Sequence, residues 1–238
     1  MTGSDAGFRP PSLARLAGEA RTVFELPRLL VRAPALRRAP RGSGDPVLVL
    51  PGLGAGDSST VPLRRFLARI GHKPHGWGLG VNGGDVEALL PRVQARAEVL
   101  QRACGRRVHL VGWSLGGVLA REVARDVPDL VAQVVSFGTP VVGGPKYTRA
   151  AARYGAAEVD RVVAAMAERQ ATAISVPVTS VYSRNDGIVD WRACIDTFTP
   201  GARNIEVRST HLGMGLDPDL WQILAEALAG VSAVRPVR

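Results

Sequence analysis

Three residues of this chain have the types and spacing to do chemistry together: a serine, an aspartate and a histidine. Ser114 lies in Val108-His109-Leu110-Val111-Gly112-Trp113-Ser114-Leu115-Gly116-Gly117, a short apolar run that passes straight into a G-x-S-x-G sequence. The spacing matters for steric reasons. A serine can stand on a sharp strand-to-helix turn only if the residues two before and two after it lack bulk, and Gly112 and Gly116 supply that. The helix expected from Leu115 to about Arg125 aims its first amides at the point where an oxyanion would form. Ser114 is thus placed for nucleophilic attack rather than for packing.

A serine hydroxyl is a poor nucleophile at neutral pH and needs a base, which in turn needs an orienting acid. The chain has 4 histidines. His72 and His75 flank Pro74 early in the chain, and His109 sits inside the strand before the serine, pointing into a layer of the fold. His211, in S-T-H-L-G-M, follows a strand near the end and completes the order Ser, Asp, His. Two aspartates compete for the acid beyond Tyr182. Asp186 stands at the strand edge before Gly187, which permits a turn toward His211, whereas Asp190, beside Trp191, reads as a helix N-cap. Asp186 is the better candidate.

The elements that must position these residues alternate. Val47-Leu48-Val49-Leu50 is the first buried strand and ends in Pro51-Gly52-Leu53-Gly54-Ala55-Gly56-Asp57, a loop whose amides can face a ligand but which lacks the Gly-Lys-Ser/Thr close of a phosphate loop. A helix with Leu63, Phe66, Leu67 and Ile70 on one face stops at Gly71, and a longer one runs from about Asp85 to Cys104, ended by Gly105. Further strands are expected at Val131–Phe137, 177–182 and 205–207, with a closing helix from Pro218 to about Leu228. This rhythm predicts a mostly parallel central sheet with helices on both faces. Residues 141–175, with a helix expected over Ala150–Ala173, are either a helical lid over the site or an ordinary crossover.

At 238 residues and 46% hydrophobic, the chain suits one sizeable core, read as a body over 46–238 preceded by an arm over 1–45. The formal charge is +9, almost all from arginine, but the basic residues are dispersed and aromatics are only 5%, which argues against nucleic acid as a partner. In the arm, Leu13, Leu16, Ala17, Ala20 and Phe24 recur at helical spacing among arginines. Such a basic amphipathic helix either docks on the body, the favoured reading, or makes peripheral contact with an anionic membrane. Cys104 and Cys194 lie in no C-x-x-C or metal-ligand cluster and are expected to be reduced structural thiols; neither a metal nor an organic cofactor is expected. With no secretion signal and no apolar run of membrane-span length, the expected location is cytoplasmic.

Taken together and in order, L-P-G-L-G, G-W-S-L-G-G, S-R-N-D-G-I-V and S-T-H-L-G-M resemble the α/β-hydrolase superfamily, and within it lipases and esterases, over residues 47–214. The resemblance implies an α/β-hydrolase fold and a serine hydrolase acting on carboxylic esters through an acyl-enzyme. It also implies oxyanion amides at Leu53 and Leu115, with Pro51 standing where many lipases have histidine. The single-glycine loop resembles that of enzymes acting on medium or longer acyl esters, and Leu53, Trp113, Leu115 and Val141 suit an apolar acyl chain. Thioesterases, lactonases and acyltransferases would use the same residues, and a non-catalytic binding protein would share the fold.

Overall fold

Apolar, mostly β-branched runs set the sheet of this protein, whose computed structural model describes residues 7–232; the first six residues of the arm and residues 233–238 of the body lie outside it. The strands are β1 (Pro46–Leu50), β2 (Lys73–Gly76), β3 (Val108–Trp113), β4 (Val131–Phe137), β5 (Val178–Ser183) and β6 (Arg203–Val207). The helices are α1 (Leu13–Ala17), α2 (Glu25–Leu36), α3 (Val61–Arg69), α4 (Val86–Cys104), α5 (Leu115–Asp126), α6 (Ala156–Gln170) and α7 (Pro218–Ser232). The sheet has the order β2-β1-β3-β4-β5-β6, and every pairing is parallel.

Side chains alternate across a strand, so each of the central strands β1, β3, β4 and β5 feeds two cores. Val47, Val49, Val111, Val135, Val181 and Val207 face α3 and α7. Leu48, Leu50, Leu110, Val134 and Val178 face α4 and α5. Burial on both faces is why these strands read as continuous apolar runs rather than as alternating ones. The chain steps from β1 outward to β2 and then returns to the other side of β1 with β3. Such a reversal leaves a crevice at the carboxyl ends of β1 and β3, where open α/β sheets bind ligands. The loop from Pro51 and the turn at Ser114 are its two walls.

Helix ends follow local chemistry. The Asp85 side chain accepts the Ala88 N–H at 3.0 Å to start α4, and Gly105, at φ 63°, ends it. The helix expected over 150–173 is broken: Arg149–Arg153 is a 3₁₀ turn capped by the Thr148 hydroxyl, Tyr154 and Gly155 are extended, and α6 begins only at Ala156. No residue of α6 is buried. It is tied down at its end, where Arg169 reaches Glu122 and Asp126 of α5 and Gln170 donates to the Val141 carbonyl at 2.6 Å.

The arm does not present the expected apolar face. No residue of α1 is buried, and the helix then changes to a 3₁₀ spiral over Gly18–Phe24. Leu13 and Phe24 are 69% and 63% exposed, while Glu19, Glu25 and Leu36 face inward. Arg28 bridges Glu25 at 2.6 Å and Asp219 of α7 at 2.8 Å, so the arm docks through charge as well as through Leu36. Among the described residues, no helix is long and apolar enough to cross a membrane.

The buried charges of the body are paired. Arg121 of α5 donates to Asp196 at 2.8 Å and to Thr199 at 3.3 Å. Burial pushes the Asp196 carboxyl up, but the Arg121 charge and the hydrogen bonds from Arg121 and Thr199 outweigh it and hold it below its ordinary value. Arg121→Met should therefore cost about 3–5 kcal/mol in urea unfolding at neutral pH, because it leaves a buried carboxylate uncompensated. The stability this carboxylate contributes is present above its unfolded pKa and lost as pH falls through the folded one, so the gap between wild type and variant should close below about pH 4.

Candidate active site

Ser114 is the one non-glycine residue with positive φ among the described residues, at φ 53° and ψ −119°. Such a conformation costs on the order of 1–3 kcal/mol and persists only where the surroundings enforce it. Three strands do so. The Ser114 N–H donates to the Phe137 carbonyl of β4 at 2.8 Å, and the Thr139 hydroxyl donates to the Ser114 carbonyl at 2.9 Å. A Cβ on Gly112 would lie 2.4 Å from the Gly116 carbonyl oxygen, one on Gly116 2.3 Å from the Leu50 carbonyl oxygen, and one on Gly117 1.9 Å from the Thr139 hydroxyl. The first helical turn of α5 is thus pressed directly against β1, and only glycine fits.

The structure brings Asp186 and His211 together. Asp186 Oδ1 accepts the amides of Ile188 at 2.8 Å and Val189 at 2.7 Å, which leaves Oδ2 to meet His211 Nδ1 at 2.6 Å. This contact puts the proton on Nδ1 and leaves Nε2 as the acceptor. The imidazole lies against Gly138, where a Cβ would come within 2.9 Å of it, and its ring centroid is 6.2 Å from that of Trp113. Burial pushes His211 down, but the Asp186 charge and hydrogen bond, helped by the Glu19 charge, prevail and hold its pKa above the ordinary 6.5. Ser114 is anchored to Phe137 and the His211 ring rests on the next residue, Gly138. Between Ser114 Oγ and His211 there is no direct hydrogen bond. Bonds of this kind often tighten only once substrate is bound.

The other candidates have other partners. Asp190 accepts the Arg9 and Arg192 amides at 2.9 and 3.0 Å, acting as the cap of a 3₁₀ turn. His109 is buried beside Gln133, and burial pushes its pKa down to about 4, so it stays neutral. Gly187 does not serve a left-handed turn. It is glycine because a Cβ would meet the Arg15 carbonyl oxygen at 2.4 Å.

The Leu53 and Leu115 amides find no acceptor among the described residues, and both side chains are half-buried, as are Trp113 and Ser114. The loop that carries Leu53 is pinned by a residue that sequence reasoning missed. Buried Asn82 donates to the Pro51 carbonyl at 2.9 Å, and its carbonyl accepts the Gly54 N–H at 2.8 Å. The loop also touches the serine directly, since a Cβ on Gly52 would sit 3.4 Å from Ser114 Cβ. A second missed residue is Glu19, whose carboxylate accepts the amides of Gly187, His211 and Leu212. Among the described residues, no group of three metal-ligating side chains is assembled. Cys104 and Cys194 are both free thiols.

A six-stranded parallel sheet with a strained serine at its reversal point is the α/β-hydrolase fold. Solved structures bear this out. The chain is similar to a metagenome-derived lipolytic enzyme (18% identity over 81% of this chain and 95% of that one, TM-score 0.61). It is similar to a monoacylglycerol lipase of Paleococcus ferrophilus (17%, 80% and 97%, TM-score 0.59) and to a putative aryl esterase of Burkholderia cenocepacia (16%, 83% and 94%, TM-score 0.58). At these identities the likeness is one of fold. No family model and no curated protein matches the chain.

The steric demand at the turn is testable on stability alone. Gly116→Ala forces a methyl group onto the Leu50 and Pro51 carbonyl oxygens, at 2.3 and 2.6 Å, and should lower stability by about 3 kcal/mol. Gly83→Ala, with nothing within 4 Å of the new Cβ, should stay within about 0.5 kcal/mol of wild type. Parallel thermal melts of the two variants provide the comparison.

Proposed function

We propose that this protein is a serine hydrolase that cleaves carboxylic esters through an acyl-enzyme. The observation that carries the reading is a strained serine, Leu53 and Leu115 amides that find no acceptor among the described residues, and an Asp186–His211 pair at 2.6 Å, all at one end of one sheet. Ser114 Oγ attacks the ester carbonyl while His211 Nε2 takes its proton, and Asp186 steadies the resulting imidazolium. The oxyanion points at the Leu53 and Leu115 amides, the second of which opens α5, where the helix dipole adds to the field. Collapse expels the alcohol, which leaves with the proton from His211. Water, activated by the same imidazole, then releases the acid and restores Ser114.

Half-buried Leu53, Trp113 and Leu115, with buried Val141 after β4, favour an uncharged acyl chain as substrate. The segment after β4 serves as a cover. The Tyr154 hydroxyl and Leu53 Cδ1 both lie 3.0 Å from where a Gly84 Cβ would be, so this segment reaches across to the loop after β1. The names of the similar structures, lipolytic enzyme, monoacylglycerol lipase and aryl esterase, agree with ester chemistry. The first test is hydrolysis of p-nitrophenyl esters across a series of acyl lengths, with a thioester and a lactone alongside. Wild type should turn over with an optimum at one acyl length, and Ser114→Ala should lose about 10⁴-fold or more in kcat/KM. A folded wild type no faster than Ser114→Ala on every substrate would move the binding-protein reading ahead.

The partner surface follows from the arm. Leu26, Leu30 and Val31 of α2, with Phe24 just before it, face solvent, Leu30 at 68% and Val31 at 78% exposure, among Arg21, Arg32, Arg37 and Arg38. Apolar side chains ringed by arginine match an anionic lipid surface rather than nucleic acid. The reading that goes with this surface is a cytoplasmic protein in peripheral contact with the membrane. Co-sedimentation with phosphatidylglycerol vesicles should fall more than tenfold when Phe24, Leu30 and Val31 are changed to serine, since each buried side chain contributes about 1.5–3 kcal/mol at most. Unchanged binding would sink the idea.

A further inference from the structure

An acid in an arginine-rich arm would ordinarily sit in water or pair with an arginine. Glu19 does neither. It is 6% exposed, and among the described residues no cation pairs with it. A carboxylate taken out of water must recover its lost hydrogen bonds, and Glu19 does so from the backbone. Oε1 accepts the Gly187 N–H at 2.7 Å and the His211 N–H at 3.0 Å, and Oε2 accepts the Leu212 N–H at 2.8 Å. Gly187 follows Asp186, and His211 is the imidazole's own residue. One side chain therefore holds the acid's loop and the base's loop at once.

We propose that Glu19 is a positioning residue for the hydrolase reaction: its carboxylate clamps the Asp186 loop to the His211 loop and so fixes the imidazole toward Ser114. This rests on the catalytic reading above. The surrounding contacts serve the same end. A Cβ on Gly187 would lie 2.9 Å from Glu19 Oε1, so glycine is what lets the carboxylate approach. The Thr22 and Thr210 hydroxyls are hydrogen-bonded at 2.7 Å, and the Arg15 guanidinium donates to the Arg184 carbonyl. The arm thus grips the two loops at both the residue before His211 and the stretch before Asp186.

The clamp also carries charge. The charged groups that face the imidazole are Asp186, from the loop after β5, and Glu19, from the arm; Gly138, Trp113 and Met214 complete its surroundings without charge. Both carboxylates favour the imidazolium. Removing the Glu19 charge while keeping its shape should therefore lower the His211 pKa, and the acid limb of kcat/KM should move to lower pH. A residue that merely stabilised the fold would leave that limb in place.

The experiment uses the full chain with Glu19→Gln and Glu19→Ala, beside Ser114→Ala. Three readouts are taken: amide hydrogen exchange by NMR, titration of the His211 ring protons, and ester hydrolysis against pH. In Glu19→Ala the Gly187, His211 and Leu212 amides should exchange more than tenfold faster, while Val111 and Val135 in the sheet are unchanged. In Glu19→Gln the His211 titration and the acid limb should both shift to lower pH. Both variants should lose about 10- to 100-fold in kcat with KM within about twofold of wild type, the loss expected when a catalytic group is misplaced by a fraction of an ångström. If Glu19→Ala fails to fold, Glu19→Gln carries the test. Wild-type kcat and acid limb in Glu19→Gln, where Ser114→Ala is inactive, would overturn the clamp and leave the hydrolase reading standing. Faster exchange in Glu19→Ala and a shifted titration in Glu19→Gln, beside a wild type with no ester activity, would uphold the clamp's hold on His211 and overturn the hydrolase reading.

Discussion

The structure depends on one contact, the packing of the first turn of α5 against the end of β1. A Cβ on Gly116 would lie only 2.3 Å from the Leu50 carbonyl oxygen, so glycine is required there and the helix axis, the strand end and the Ser114 backbone are fixed together. The positive φ at Ser114 is the residue of that constraint. It is held because β4 lies on the other side, its Phe137 carbonyl taking the Ser114 N–H and Thr139 taking up the serine carbonyl. A strain of order 1–3 kcal/mol at one residue thus requires three adjacent strands in the order β1-β3-β4, and the sheet topology and the site geometry are one fact. The same adjacency places the loop after β1, which carries the Leu53 amide, against the serine.

A second theme is how buried acids are satisfied in a chain so rich in arginine. Asp186 accepts the amides two and three residues ahead, and Asp196 accepts those of Phe198 and Thr199 in the same pattern. Each aspartate therefore orders its own turn before it meets its partner, His211 in one case and Arg121 in the other. One carboxylate oxygen is committed to the backbone, and the other is presented at a fixed angle. This lets a loop residue hold an imidazole with the precision that would otherwise need a strand.

What could be read from the sequence was what is local. The strands at Val47–Leu50 and Val131–Phe137 are legible because burial on both faces makes them unbroken apolar runs, and the serine turn is legible because its glycines lie within three residues. The two aspartates could be separated by neighbourhood alone, although the feature that separated them was misassigned: Gly187 makes room for the arm rather than a turn. Long-range partners carried no such signal. Asn82 meets Pro51 across 31 residues, and Glu19 meets Gly187 and His211 across 168 and 192. The helix break at Tyr154 and Gly155 had a local signal in Gly155, a poor helix former, which the alanine-rich stretch around it outweighed; the reach of Tyr154 to Gly84 carried none.

The arm shows why amphipathicity failed as a guide. Helical spacing of Leu13, Leu16 and Phe24 implies an inward apolar stripe only if the surface beneath is apolar. Here the surface beneath includes two loop turns that expose the N–H groups of Gly187, His211 and Leu212, which no strand or helix can satisfy. An apolar residue laid over them would leave three buried donors unpaired, at about 1–3 kcal/mol each. A carboxylate satisfies all three with two atoms. The polar side of the arm is therefore the side that turns inward at Glu19, and the apolar residues that would otherwise have been buried are left facing outward.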